Sequence, residues 1–189
     1  MATDMITSMA NQFGGPVIED LGKRLGLPPQ MVKAAAPMVI GLVISGVKRM
    51  AATPGGKEQI ATMMQGAGQR VGDRSLDAFV QEADPAKSAD MLNSLTGSNS
   101  TEQVIDNLAR KTGLDPQATA KLMGVMAPAV MGQLNSMAKE QNLDIDGMMN
   151  LIDQNADALK SVGNLDYILD DVPGVSDDIK RGFNKLFGG

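Results

Sequence analysis

The stretch from Asn142 to Asp153 has the residue types and the spacing of a calcium-binding loop. Such loops carry oxygen ligands at alternate early positions, a glycine at the turn and further oxygens toward the end. The corresponding residues are Asn142, Asp144, Asp146, Asn150 and Asp153, with Gly147 as the glycine. Asn replaces the usual Asp at the first position and Asp replaces Glu at the last, which predicts a weakened site. The alternative is a helix that Asp144 caps and whose apolar residues face the core.

The remaining composition removes most catalytic chemistry. The chain has no histidine and no cysteine, which excludes disulfides, thiol redox chemistry, the usual zinc ligand sets and histidine general bases. The carboxylate pairs Asp170-Asp171 and Asp177-Asp178 are adjacent in sequence, so their side chains do not face each other on a helix. We therefore expect a non-catalytic protein that uses no cofactor and no small-molecule substrate.

Six basic residues are candidates for contacts with nucleic acid: Lys23, Arg24, Lys33, Arg110, Lys111 and Lys121. The net charge of −5, with acidic residues gathered toward the C-terminal end, does not attract phosphate backbones or anionic lipids. A solvated face near a helix C-terminus explains the two basic pairs more simply. DNA binding is therefore the alternative hypothesis.

The most informative pattern is an internal duplication. Residues 17–30, VIEDLGKRLGLPPQ, align without a gap to residues 104–117, VIDNLARKTGLDPQ. After a shift of four residues, about one helical turn, Ala36-Pro37 and Gly41 recur as Ala127-Pro128 and Gly132. We interpret the chain as a single helical domain, 1–189, with one repeat unit at about 9–50 and another at about 91–153. Connecting helices cover 51–90, and C-terminal helices cover 154–189.

Helix signals position these residues. Gly26 and Gly113 are expected to end the first helix of each unit. Asp115 is expected to cap the helix that follows in the second unit, and Ser100 with Gln103 forms a capping-box pattern. Further helices are predicted at 5–13, 75–82 and 86–95 and over the C-terminal third.

Two features predict breaks in this helical pattern. Pro37 and Pro128 are expected to interrupt or kink the apolar helices that contain them. The glycine-rich stretch 65–72 predicts a flexible segment. The sequence thus predicts an all-α fold, a compact bundle of about nine to eleven mostly short helices.

Hydrophobic residues make up 43% of the chain but aromatic residues only 3%, so the core must use aliphatic side chains and many of the fifteen methionines. The apolar run Ala34–Val47 is shorter than the roughly 20 residues of a membrane span, which predicts a buried central helix and no transmembrane segment. The N-terminal residues lack the pattern of a secretory signal, and we expect a cytoplasmic location.

The repeated motif Leu-x-x-x-x-Gly-Leu-x-Pro-Gln, followed by Ala-Pro-x-x-x-Gly, resembles the YidB-like family, bacterial proteins with a domain of unknown function. The resemblance is best from Met91 to Asp153, and the closing KLFGG is also similar. It implies an all-helical fold built from two homeodomain-like or helix-turn-helix-like units. It implies no activity, substrate or catalytic residue.

Together these patterns predict a structural or protein-interaction protein that self-associates into a homo-oligomer or larger assembly, so its partner is itself or another protein. A weakly calcium-modulated interaction module is the second alternative. The residues predicted to form the packing or assembly surface are Ala36, Pro37, Val39, Ile40, Gly41, Ala127, Pro128, Val130, Met131 and Gly132.

Overall fold

Seven α-helices form the regular structure of the residues that the computed structural model describes, which are Met9, 13–71, 78–79, 88–97 and 100–155. They are α1 (Gly15–Leu25), α2 (Pro29–Ala51), α3 (Gly56–Val71), α4 (Ala89–Thr96), α5 (Thr101–Thr112), α6 (Pro116–Glu140) and α7 (Ile145–Gln154). The all-α prediction is confirmed for this part of the chain. The helices predicted at 5–13 and 75–82 fall mostly, and those beyond residue 155 entirely, outside the described residues.

The prediction of nine to eleven mostly short helices is wrong, because the described residues hold seven helices and two of them are long. Helices α2 and α6 have 23 and 25 residues and continue through Pro37 and Pro128. A proline inside a helix costs about 3 kcal/mol, whereas burying one large aliphatic side chain contributes about 1.5–3 kcal/mol. Val39, Ile40 and Ile44 are fully buried around Pro37, so burial outweighs the break.

The predicted flexible stretch at 65–72 is instead the last part of α3 up to Val71. Ile60, Met64 and Ala67 of this helix are buried and belong to the core. Gly68 lies so close to α6 that a Cβ there would be 2.0 Å from Asn135 Nδ2. The glycine allows a close helix contact and does not end the helix.

The predicted helix ends are largely confirmed. Gly26 and Gly113 adopt the left-handed conformation, with φ of 69° and 73°. Asp115 caps α6, since its Oδ1 accepts a hydrogen bond of 2.8 Å from the Ala118 amide. The capping box at Ser100 is wrong. Ser100 stands at the N-cap but makes no side-chain capping bond, because its ψ of −10° is not the extended conformation that capping requires.

The two long helices pack against each other, and the other helices cover them. Helix α1 contacts α2 and α6, and α5 contacts α6 and α2 in the same way. Helix α3 lies along α6, α4 contacts α2, α5 and α6, and α7 contacts α3 and α6. The buried apolar side chains of both units form one continuous cluster, so the two units share a core.

The order of helices shows that the duplication is longer than the predicted units. Helices α1, α2 and α3 are repeated as α5, α6 and α7, with equal connections at 26–28 and 113–115 and at 52–55 and 141–144. Before α1, residues 4–9 read DMITSM and match DMLNSL at 90–95 in α4. Met9 and its counterpart Leu95 are both buried, at 0% and 3% exposure. We refer to α1–α3 as the first unit and to α4–α7 as the second unit.

Arg49, at the end of α2, joins the two units. Its Nη2 donates hydrogen bonds to the carbonyl oxygens of Leu95, at 2.6 Å, and Ser94, at 3.2 Å, in the last turn of α4. These carbonyls have no partner within their own helix, so the guanidinium completes the helix end. Partial burial lowers the pKa of Arg49 from its ordinary value. A side chain of the first unit thus caps a helix of the second.

The prediction that Ala34–Val47 forms part of a buried central helix is confirmed by the burial of most of these side chains. Helix α2 is long and apolar enough, by length and composition, to cross a membrane. Of its most apolar stretch, 61% is buried inside the protein. The core helix of a soluble protein has the same properties, so these features alone do not make α2 a membrane span.

We predict that Gly46→Ala destabilises the fold while Gly66→Ala stabilises it. A Cβ at Gly46 would lie 2.5 Å from the carbonyl oxygen of Leu95, where α2 crosses α4. This overpacking should cost about 1–3 kcal/mol in the free energy of unfolding. Gly66 lies inside α3 with open space around its Cα, so alanine should add about 0.5–1 kcal/mol. Denaturant unfolding followed by circular dichroism measures both changes, and equal effects would contradict the close crossing.

Candidate functional site

The stretch from Asn142 to Asp153 does not adopt a calcium loop. Helix α7 begins at Ile145, so the residues meant to wrap around an ion are already helical. Asp144 caps this helix instead, with its Oδ1 accepting a hydrogen bond of 2.7 Å from the Gly147 amide. Within the described residues, no group of three or more Asp, Glu, His or Cys side chains is placed to hold a metal ion. The prediction of calcium-loop geometry is therefore wrong, and the capped-helix alternative is confirmed.

The other carboxylates of this stretch form ion pairs that attach α7 to the first unit. Asp146 accepts a hydrogen bond from Lys57 Nζ of α3, and Asp153 pairs with Lys48 Nζ of α2. The hydrogen bond with Asp146, and then the charge of Asp146, raise the pKa of Lys57. A raised pKa means that this pair stabilises the fold while Lys57 is protonated, and that the contribution is lost as the pH rises through that pKa. Asn150, another of the predicted calcium ligands, is exposed on α7.

The residues predicted to form the packing or assembly surface lie in the core of the chain itself. The structure buries Ala36, Val39, Ile40, Gly41, Ala127, Pro128, Val130, Met131 and Gly132, and leaves Pro37 half-buried. These residues therefore pack against other residues of the same copy. The Ala-Pro-x-x-x-Gly motif marks the centre of each long helix, and a surface for another molecule has to be formed by other residues.

The six basic candidates are all exposed. Lys23 lies 4.0 Å from Asp20 on α1, and Arg110 donates a hydrogen bond to Asn107 Oδ1 on α5. Lys33 and Lys121 lie on the second turns of the two long helices, α2 and α6. Their exposure on both units is compatible with contacts to a polyanion, although they are distributed over four helices.

A cleft of about 500 Å3 opens in the first unit between the N-terminal part of α1 and the first half of α2. Phe13, Ala36 and Ile40 form a buried apolar floor, and exposed polar side chains stand at its rim. Its lining consists of Phe13, Gly14, Gly15, Ile18, Glu19, Pro29, Gln30, Lys33, Ala36, Pro37 and Ile40. An apolar floor with a charged rim can accept apolar side chains of another molecule, and the lining holds no paired nucleophile and base.

Beside the cleft, the turn between α1 and α2 carries apolar side chains that reach solvent. Leu25 and Leu27 are half-exposed and Pro28 is exposed. We name these three residues the turn ridge. The sequence analysis predicted neither the ridge nor the cleft. The signal for an apolar turn was present, because Leu25, Leu27 and two prolines surround Gly26.

The same turn in the second unit is more polar and better covered. Thr112 and Asp115 stand at the positions of Leu25 and Pro28. Leu114, the counterpart of Leu27, is 8% exposed, and a Cβ at Gly113 would lie 4.0 Å from the Met31 side chain of α2. Among the described residues, nothing lies within 4 Å of a Cβ built at Gly26. The leucine of the turn is buried in the second unit and half-exposed in the first, so the turn of the first unit is the more open one.

The first unit also lacks a helix cap at this turn. Asp115 caps α6 with its carboxylate, whereas Pro28 stands at the N-cap of α2 with no side-chain capping bond. Replacing a capping residue by one that cannot cap costs about 1 kcal/mol. The open turn thus combines a weaker helix start with a more apolar surface.

A family model described as bacterial protein of unknown function (DUF937) matches residues 7–137 and, in a second overlapping match, residues 101–184. Two overlapping matches agree with the internal duplication, and the description agrees with the YidB-like resemblance. No curated protein and no solved structure matches the chain.

We predict that Asp153→Asn destabilises the fold more than Asp146→Asn. Lys48 Nζ is buried, and the substitution removes the carboxylate charge beside it. Because Asp153 is half-exposed, the expected loss is about 1–2 kcal/mol, below the cost of breaking a fully buried pair. The Asp146 pair is exposed and serves as the matched control, with a change near the experimental error. Chemical denaturation of both variants gives the comparison, and a larger loss for Asp146→Asn would contradict this ranking.

Proposed function

The chain belongs to the DUF937 family of bacterial proteins of unknown function, and we propose that it is a non-catalytic, cytoplasmic protein-interaction protein that self-associates into a homo-oligomer or larger assembly. The single observation that carries this proposal is the difference between the two copies of the turn. Where the second unit has Thr112, Asp115 and a buried Leu114, the first has Leu25, Pro28 and a half-exposed Leu27 beside an apolar cleft.

This difference supports an interaction role because it works against the stability of the isolated chain. Pro28 forgoes a cap that its counterpart makes, and Leu25 and Leu27 leave apolar surface in water. Both leucines pack partly against the core, and only their remaining exposed area adds nothing to the fold of a single copy. Covering the turn with another molecule removes this area from water, which is favourable.

The expected affinity is modest. Full burial of a leucine contributes about 1.5–3 kcal/mol, so completing the burial of two half-exposed leucines in each of two copies contributes about 3–6 kcal/mol. The entropic cost of association is about 4 kcal/mol or more, so contacts from the prolines and the cleft are also needed, and we expect a weak dissociation constant on the order of 0.1–1 mM. Measurements must therefore extend to high protein concentration.

We predict that the mass in solution exceeds the 19.8 kDa of one chain and rises with concentration. Light scattering or sedimentation from micromolar to near-millimolar protein measures this directly. A mass of 19.8 kDa at every concentration would end the self-association proposal.

A variant that gives the first turn the residues of the second separates association from folding. Leu25→Thr with Pro28→Asp should weaken association at least about tenfold. Leu25 packs partly against the core, so threonine there loses some apolar burial. The backbone at Pro28, φ −59° and ψ 131°, is extended like that of Asp115, so aspartate can cap α2 there and offset this loss, and the melting temperature should change little. Unchanged association in this variant would exclude the turn as part of the contact.

DNA binding is a second candidate, supported by the exposure of the matched basic pairs Lys23-Arg24 and Arg110-Lys111 on both units. Phosphate contacts would make retention of duplex DNA strong at low salt and weak at high salt. We expect no retention at low salt, because the net charge is −5 and the basic residues are spread over four helices. Salt-dependent retention would favour the DNA-binding function over this expectation.

A further inference from the structure

We propose that the contact is a two-fold pairing of two copies of this chain, in which the α1 helices run antiparallel and the turn ridge of each copy covers the cleft of the other. This inference rests on the proposed self-association and names its surface, its partner and its symmetry.

The charges of α1 are separated along its length in the way that antiparallel pairing requires. Glu19 and Asp20 form an acidic group near its middle, and Lys23 and Arg24 form a basic group in its last turn. Glu19 and Lys23 are exposed. When two such helices run antiparallel about a two-fold axis, the acidic group of each faces the basic group of the other. A parallel arrangement would place like charges together, which is unfavourable.

The apolar features of α1 are separated in the same direction. Its N-terminal part lines the cleft through Gly15 and Ile18, and the turn ridge follows its C-terminal end. The other end of the cleft reaches Pro29, directly beside the ridge, and only the end at Gly15 is separated from the ridge by the length of α1, about 16 Å for eleven residues. Antiparallel pairing brings each ridge to the partner's cleft, and the two contacts form together.

A second copy fits this surface better than an unrelated partner because the surface complements itself. It holds both a partly exposed apolar ridge and an apolar cleft, and it holds both signs of charge on one helix. The second unit does not offer the same surface, since Thr112 and Asp115 replace two of the three ridge residues and Leu114 is buried. A two-fold contact that uses one patch from each copy is closed, so we infer a dimer.

Charge reversal at exposed positions tests the arrangement without disturbing the core. In the antiparallel pair, Glu19 of one copy faces Lys23 of the other, and the two-fold axis creates this contact twice. The Glu19→Lys variant should raise the dissociation constant about tenfold, because both contacts become repulsive. The Glu19→Lys, Lys23→Glu double variant restores opposite charges and should return to within about threefold of the wild-type value.

The duplication supplies a matched control. Asp106 is the exposed counterpart of Glu19 on α5, and Asp106→Lys makes the same change in charge on the second unit. Asp106→Lys should leave the dissociation constant unchanged. The wild type and the three variants are compared by sedimentation at one ionic strength. Thermal melts of each variant establish that it is folded.

The outcomes separate the pairing from the wider proposal. An effect of Asp106→Lys as large as that of Glu19→Lys, or a double variant that is not restored, overturns the antiparallel α1 pairing and leaves self-association standing. Saturation at a mass above that of two chains overturns the closed dimer. A wild-type protein that stays monomeric to near-millimolar concentration removes the proposed function itself.

Discussion

The contact between α2 and α6 is the constraint on which the rest of the structure depends. Both helices are apolar on nearly every side, so a single partner cannot remove them from water. They cover part of each other, and the shorter helices cover what remains. With four phenylalanines, one tyrosine and no tryptophan, the chain fills this space with small and flexible side chains. Close helix crossings follow, and Gly46 against Leu95 and Gly68 against Asn135 are two places where an added Cβ would clash.

This constraint explains which parts of the fold could be predicted from the sequence. Local signals that depend on one turn of chain were reliable: the left-handed Gly26 and Gly113, and the capping residues Asp115 and Asp144. Local signals that tertiary burial overrides were not reliable. Pro37, Pro128 and Gly68 looked like breaks, but each lies in a helix that the core holds together. Ser100 had the right residue type at the right position but the wrong backbone conformation for capping.

The candidate site was less predictable than the fold for a related reason. The most apolar motif of each copy, Ala-Pro-x-x-x-Gly, belongs to the shared core, and sequence alone does not distinguish a core helix from an assembly surface. The acidic stretch at α7 had the composition of an ion site, but its carboxylates cap a helix and pair with lysines from α2 and α3. The candidate site lies where the two copies differ, with Leu25 and Pro28 in the first unit and Thr112 and Asp115 in the second.

The contacts between the two units, including the hydrogen bonds of Arg49, can form only after the second unit has been synthesised. Ser94 and Leu95, the partners of Arg49, are translated after it, and Pro116, which opens α6, comes 87 residues after Pro29, which opens α2. At bacterial rates of synthesis, α2 leaves the ribosome on the order of 5–15 s before the helix that covers it. During that interval the most apolar of the described helices is covered only by residues of its own unit. The duplication that shares one core between two units therefore also delays the burial of α2, because its contacts with the second unit are distant in sequence.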